Sequence, residues 1–138
     1  MMDLEIIKVP ANDEAFVNFM TEREDDIDEI FPHFDKDNLD MTEISFLKSS
    51  NRGIGVFISE YKGEELHVMV DYVIPEFRDI GIGEEFFSQN LSYFKEMGFK
   101  SIVALTDNER HKNYLKRCGF KNAEKHDDLF EMNLFTNS

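Results

Sequence analysis

Residues 70–87 read VDYVIPEFRDIGIGEEFF, and the interpretation of the whole chain starts from this stretch. An apolar run ends at Val73, a proline and charged residues follow, and residues 78–83, RDIGIG, lead into apolar residues at helical spacing. A strand that passes through a glycine-rich turn into a helix is typical of phosphate binding, because glycine lets the backbone approach an anion and the first N–H groups of the helix point at it. We therefore expect a phosphate-binding turn here.

Apolar periodicity predicts the elements on either side of this turn. Strands are expected over 4–9, 41–49, 54–61, 66–73, 100–105, 120–124 and 129–135. Helices are expected from Asn12 or Asp13 to about residue 20 (with Phe16, Val17 and Met20 on one face), then as a short helix that ends at Pro32, over 82–98, and from Asp107 or Asn108 to about residue 117. Turn residues at 51–53 and 62–64 make the strands between 41 and 73 an antiparallel meander, and the strand–helix–strand unit that follows implies a parallel pair.

Length and composition predict a single folded domain over 1–138. The chain has 138 residues, of which 41% are hydrophobic, and no apolar run approaches the roughly 20 residues that cross a membrane. The N-terminal residues lack the basic segment and apolar run of a signal peptide. The single cysteine, Cys118, excludes an internal disulfide and fits a reducing cytoplasm. We expect a cytoplasmic protein without a membrane partner.

The negative charge is concentrated in the first third of the chain. The net charge is −14, and residues 1–43 hold 14 acidic against 3 basic residues. A nucleic-acid-binding protein normally presents a basic face, so this class of partner is disfavoured. An acidic region attracts a cationic substrate such as an amine, or it is a solvated surface that keeps the protein soluble. Composition leaves both interpretations open.

Two motifs in the second half of the chain resemble those of the GNAT N-acetyltransferase superfamily. Arg78-x-x-Gly81-x-Gly83, directly after the strand that ends at Val73, is similar to the acetyl-CoA pyrophosphate loop, and Asn108 followed eleven residues later by Gly119 resembles the second cofactor element. The resemblance covers about residues 66–121. It implies an α+β fold of three layers, with a central mixed, mostly antiparallel sheet of about six or seven strands and helices on both faces.

The resemblance implies acetyl-CoA as co-substrate and no metal. The pantetheine arm would lie where the strand ending at Val73 separates from strand 100–105, and backbone N–H groups would hold the pyrophosphate. Expected cofactor contacts are Tyr72, Val73, Ile74, Arg78, Asp79, Ile80, Gly81, Ile82, Gly83, Asn108 and Tyr114. A homodimer is common in the family and is expected here on that basis alone.

Asp71 and Tyr114 are the candidate catalytic residues. Asp71 lies in a strand among apolar neighbours, where it is a general base or ammonium anchor, or a structural carboxylate bonded to a neighbour. His67, on the same strand face, is a weaker candidate base. The tyrosine that protonates the thiolate in the family falls on Leu115 here, so Tyr114, one position away, is either a displaced acid or a packing residue.

Other residues near the glycine turn leave the function open between two classes. Glu84 and Glu85 stabilise a helix N-terminus but would repel a pyrophosphate. Arg78 either contacts phosphate or pairs with Glu76 or Asp79. The first hypothesis is an acetyl-CoA-dependent N-acetyltransferase acting on a small amine or exposed amino group. The alternative is a catalytically silent GNAT-like domain that acts as a CoA-binding sensor or protein-interaction module.

Overall fold

The computed structural model describes residues 3–78 and 80–135, and in them the chain forms seven strands and four α-helices. The strands are β1 (Glu5–Lys8), β2 (Thr42–Ser49), β3 (Arg52–Lys62), β4 (Glu65–Val73), β5 (Ser101–Leu105), β6 (Lys121–Asn122) and β7 (Leu129–Asn133). The helices are α1 (Glu14–Glu22), α2 (Glu24–Ile30), α3 (Ile82–Glu96) and α4 (Glu109–Arg117), and a 3₁₀ turn spans Pro75–Phe77. None of these helices combines the length and apolar character needed to cross a membrane.

The strands form a mixed sheet in the order β1-β2-β3-β4-β5-β7-β6. The pairs β1–β2, β2–β3, β5–β7 and β6–β7 are antiparallel, and β4–β5 is parallel. This order confirms the predicted fold class and the parallel pair around α3, and the antiparallel pairing of β2 with β3 confirms the first part of the predicted meander. The parallel pair β4–β5 requires a crossover, because parallel strands cannot be joined by a tight turn.

Contacts divide the chain into two units. Unit 1 comprises Met1–Glu60 and Met69–Ile80, and unit 2 comprises Tyr61–Val68 and Gly81–Ser138. Strands β3 and β4 each contribute residues to both units. The prediction of one domain over 1–138 stays a prediction.

In unit 1, aromatic side chains attach α1 to the sheet. Phe16 and Phe19 are buried, and the Phe19 ring meets the rings of Phe46 and Tyr72 at centroid distances of 5.5 and 6.1 Å. The predicted apolar face of Phe16, Val17 and Met20 is not the buried one, because Val17 is 43% exposed and Phe19 is buried. Helical spacing permits either Val17 or Phe19 beside Phe16, and the larger aromatic ring occupies the interior.

The β2–β3 hairpin turns at Ser50 and Asn51, one residue before the predicted turn centre. Both residues have positive φ, 50° and 68°, as in a two-residue type I′ hairpin. Gly53 therefore lies within β3, where a Cβ atom would be 2.6 Å from the Phe46 ring. The glycine is needed for this close approach and not for the turn itself.

In unit 2, phenylalanines and short turns organise α3 and α4. Apolar spacing predicts a buried α3 face, and of its residues Ile82, Phe86, Phe87 and Phe94 are buried whereas Leu91 is half-buried. Phe87 meets Phe120 edge-on at 5.2 Å, which connects α3 to the segment after α4. The closing strands β6 and β7 are shorter than predicted.

We expect Asp13→Ala to destabilise the protein by about 1 kcal/mol, because the Asp13 carboxylate caps α1 by accepting the Phe16 N–H at 3.0 Å. Asn12, the alternative predicted cap, is exposed and does not cap this helix. Asn12→Ala is therefore the matched control and should change the unfolding free energy by less than about 0.5 kcal/mol. Urea denaturation measures both, and equal effects of the two changes would contradict the assignment of the cap.

Candidate functional site

The helix α3 begins at a left-handed glycine. Gly81 is the N-cap with φ 87°, a conformation that is costly for any residue with a Cβ atom. Its carbonyl accepts the Glu85 N–H at 3.0 Å, and no described side chain caps the helix. The N–H groups of the first turn therefore remain as donors at the positive end of the helix dipole. Of the other predicted turn residues, Ile80 is exposed, Ile82 is buried and Asp79 lies outside the described residues.

Glycine is required at position 83 for a different physical reason than at position 81. It lies inside the helix, and a Cβ atom there would overlap the Tyr114 hydroxyl and approach the ring carbon Cε1 to 2.6 Å. The hydroxyl of Tyr114 therefore lies directly against the first turn of α3. The second glycine of the motif is required because α4 packs this closely, whether or not a phosphate is bound.

Tyr114 lies in α4, and Asn108 caps the N-terminus of this helix. The Asn108 side-chain oxygen accepts the His111 N–H at 2.9 Å, and the His111 ring stacks on the Tyr114 ring at 5.6 Å. Capping leaves the Asn108 amide nitrogen without a described partner, so it can still donate to a ligand. Leu115, at the position where the resemblance places a tyrosine, has an exposed fraction of 0% and is part of the core.

In unit 1, Arg78 folds back onto the strand that precedes it. Its Nε donates to the Val73 carbonyl at 2.7 Å, its Nη2 donates to Asp26 Oδ2 at 3.0 Å, and its guanidinium carbon lies 5.3 Å from the Tyr72 ring centroid. Of the alternatives for Arg78, pairing with Glu76 is not observed, because Glu76 pairs with Arg52 at 2.9 Å. The alternative partner Asp79 lies outside the described residues. Asp26 was not foreseen as a partner. It precedes Arg78 by 52 residues, and no local spacing rule connects them.

The Tyr72 hydroxyl donates to the same Asp26 oxygen at 2.5 Å. Burial raises the pKa of Tyr72 to about 12, and the hydrogen bond to the negatively charged Asp26 adds to this shift. Tyr72 was predicted to contact a cofactor through its backbone. That contact stays a prediction. The Tyr72 side chain joins the end of β4 to α2, and Asp26, Tyr72 and Arg78 together form the Asp26 network.

The backbone at the end of β4 is partly engaged in the sheet. The Ile74 N–H donates to the Ile54 carbonyl at 2.9 Å, and the Tyr72 carbonyl would lie 2.6 Å from a Cβ atom placed on Gly55. The backbone N–H and C=O groups of Tyr72 and Ile74 therefore point towards β3. Since both groups of one strand residue point to the same edge and successive residues alternate, the backbone groups of Val73 point to the opposite edge of β4.

The two predicted catalytic residues fall in different units. Asp71 lies in the unit 1 part of β4 and is 7% exposed, whereas Tyr114 lies in unit 2. His67 lies in the unit 2 part of β4 and contacts Glu65 at 3.1 Å. The catalytic roles of Asp71 and Tyr114 stay predictions. The described residues contain no group of three or more His, Cys, Asp or Glu side chains able to hold a metal ion.

The chain is similar in fold to solved structures of acetyltransferases. The chain is similar to PaiA N-acetyltransferase from Thermoplasma acidophilum in complex with coenzyme A, with 15% identity, a TM-score of 0.72, and coverage of 96% of this chain and 99% of that one. It is also similar to N-acetylglutamate synthase from Neisseria gonorrhoeae complexed with coenzyme A and N-acetyl-glutamate, with 14% identity, a TM-score of 0.74, and coverage of 99% of this chain and 36% of that one.

A structure assigned to the GNAT acetyltransferase family, from Desulfovibrio desulfuricans, matches with 11% identity, a TM-score of 0.72, and coverage of 95% of this chain and 99% of that one. No protein-family model matches the chain, and no curated protein matches it in sequence. The resemblance inferred from the two motifs is thus confirmed at the level of the fold: the chain has the fold of the GNAT acetyltransferases.

We expect the effect of Gly83→Ala on the free energy of unfolding to change sign when Tyr114 is replaced by leucine. In the wild-type background the new methyl group displaces the Tyr114 ring, and we expect a destabilisation of about 1–3 kcal/mol. In a Tyr114→Leu background the space is open, and alanine should stabilise the helix by about 0.5–1 kcal/mol relative to glycine. Urea denaturation of the four proteins measures the coupling; additive effects would show that the contact does not constrain position 83.

We expect Tyr72→Phe to change the alkaline pH dependence of stability. The pKa of Tyr72 is about 12 in the folded protein and 10.0 when unperturbed, so the protonated hydroxyl stabilises the fold fully below pH 10, and this contribution is lost as the pH rises towards 12. The stability difference between wild type and Tyr72→Phe should therefore shrink above about pH 10. Denaturation at a series of pH values tests this, and a constant difference would exclude the raised pKa.

Proposed function

We propose that the protein is an N-acetyltransferase that moves the acetyl group of acetyl-CoA to an amine. The observation that carries the proposal is the start of α3, where Gly81 and the uncapped first turn present backbone N–H donors directly after β4. Helix N-termini of this kind bind phosphate groups. Coenzyme A is bound in solved structures that share the fold, which supports the same cofactor here.

In this proposal the backbone N–H groups of residues 81–83 hold the pyrophosphate, together with the backbone of Ile80 and Asp79. The Asn108 amide nitrogen donates to the pantetheine arm. The Val73 N–H, on the edge of β4 that points away from β3, is the proposed donor that polarises the thioester carbonyl. Arg78 contributes by holding this segment, since its described hydrogen bonds go to Val73 and Asp26.

The reaction is direct attack of a neutral amine on the thioester carbonyl. The amine loses a proton, the bond between the carbonyl carbon and sulfur breaks, and the departing thiolate accepts a proton. Asp71 is the proposed acceptor of the amine proton, and Tyr114 or a water molecule the proposed donor to the thiolate. The acidic charge of the first 43 residues would favour approach of a cationic acceptor.

A catalytically silent, CoA-binding domain is the second candidate function. Leu115 is fully buried at the position where the family carries its acid, and a leucine cannot protonate a thiolate. The two candidates are separated by measuring acetyl-CoA binding by calorimetry and the release of free CoA thiol with a panel of amines. Binding without release favours the silent domain, and neither binding nor release overturns both candidates. If thiol is released, Asp71→Asn and Tyr114→Phe test the two assignments, and full activity in both variants would remove them.

We expect Glu84→Gln to bind acetyl-CoA about two- to fivefold more tightly than wild type at about 0.1 M salt, because an exposed carboxylate in the first turn of α3 repels the pyrophosphate. The same change should slightly destabilise the ligand-free protein, since it removes an acid from a helix N-terminus. Calorimetric titration and thermal unfolding measure the two effects.

Glu96→Gln provides the matched control at the other end of the same helix. Glu96 is exposed, and its removal changes the net charge by the same amount. Its effect on affinity should be much smaller, because exposed charges separated by more than about 10 Å are largely screened at 0.1 M salt. An equal gain in both variants would mean that overall charge, and not the position of Glu84, limits binding.

A further inference from the structure

The Asp26 network connects the first turn of α2 to the end of β4 through a single carboxylate oxygen. Asp26 Oδ2 accepts the Tyr72 hydroxyl at 2.5 Å and Arg78 Nη2 at 3.0 Å. Hydrogen bonds that involve a charged group are the stronger kind, and this oxygen receives two. The Tyr72 residue is 1% exposed, so water cannot easily replace Asp26 as the partner of its hydroxyl.

Arg78 extends the network from Asp26 to the backbone. Its Nε donates to the Val73 carbonyl, while its guanidinium group lies over the Tyr72 ring. A guanidinium group is planar with donors in a fixed arrangement, so the two hydrogen bonds and the ring contact together restrict its orientation. Loss of Asp26 would free Arg78 at one end and weaken its hold on Val73 at the other.

The network fixes one peptide group at the end of β4. The carbonyl of the peptide between Val73 and Ile74 accepts from Arg78, and its N–H donates to Ile54 at 2.9 Å. The Val73 N–H points to the same edge of the strand as the carbonyl that Arg78 holds, because the N–H and C=O groups of one strand residue share an edge. This N–H belongs to the preceding peptide group, between Tyr72 and Val73, so its direction is linked to the fixed peptide through the backbone angles of Val73, and through Arg78 to Asp26.

We propose that Asp26 is a positioning residue for acetyl transfer, which acts through Arg78 to hold the Val73 edge of β4 in the geometry that the thioester requires. This proposal rests on the proposed acetyltransferase function. Asp26 does not contact the reacting atoms; it restrains the strand end that presents the Val73 N–H, and it ties α2 to that strand end. Small displacements of a positioned donor are costly in rate, since a shift of about 1 Å can reduce catalysis by about 100-fold.

The test compares Asp26→Asn with Asp25→Asn. Asp25 occupies the neighbouring position in the same turn, is exposed and has no described hydrogen bond, so its substitution removes the same charge without affecting the network. We expect Asp26→Asn to lower kcat at least about tenfold while changing the acetyl-CoA dissociation constant less than about threefold. Asp25→Asn should leave kcat unchanged. Equal kcat values for Asp26→Asn and wild type would overturn the proposal.

Arg78→Gln distinguishes positioning from phosphate binding. If Arg78 acts with Asp26, the single changes and the double variant Asp26→Asn/Arg78→Gln should all lower kcat by a similar factor, because residues that act as one unit are not additive. If Arg78→Gln instead weakens acetyl-CoA binding tenfold or more while Asp26→Asn does not, Arg78 serves the cofactor phosphates and the proposal fails.

Amide hydrogen exchange separates failure of this inference from failure of the proposed function. In the absence of any ligand, Asp26→Asn should accelerate exchange about tenfold or more in residues 24–30 and at Ile74, whose N–H donates to the Ile54 carbonyl, and Asp25→Asn should not. If wild-type protein transfers no acetyl group, the proposed function falls, and with it the role of Asp26 in transfer. Unchanged exchange in Asp26→Asn shows separately that the network does not hold the strand end.

Discussion

The hydrogen bonding of β4 is the constraint on which both units depend. Residues Glu65–Val68 pair with β5 in parallel, residues from Met69 onward belong to unit 1, and the strand ends where Arg78 holds the Val73 carbonyl. A buried strand must satisfy its backbone polar groups along its whole length. Here β3 and β5 bond to the backbone of β4, and beyond the described pairing with β5 the Arg78 side chain donates to the Val73 carbonyl.

The glycine motif combines two unrelated requirements. Gly81 adopts a left-handed conformation that starts α3, whereas Gly83 accommodates the side chain of Tyr114. A phosphate-binding function explains the first directly and the second only through the packing of α4. The motif is therefore partly a signature of how two helices pack in this fold, which is why it indicates the fold more strongly than it indicates activity.

Charge acts in opposite directions on the fold and on the proposed ligand. Glu84 and Glu85 favour the N-terminus of α3 electrostatically, and the same charges oppose a bound pyrophosphate. In unit 1, three acids occupy the first turn of α2, and Arg78 neutralises one of them. The arginine that the motif suggests for phosphate is thus already paired with a protein carboxylate.

Local patterns in the sequence determined the order and type of the helices and strands, the glycine turn and the cap at Asn108, because these depend on residues within a few positions of each other. Tertiary structure decided which face of α1 is buried, why position 83 needs glycine, and the partner of Arg78. Those outcomes join residues far apart in the chain: Gly83 with Tyr114, Phe19 with Tyr72, and Asp26 with Arg78. Such pairs form only when the sheet and helices pack, so no periodicity or spacing in the sequence reveals them.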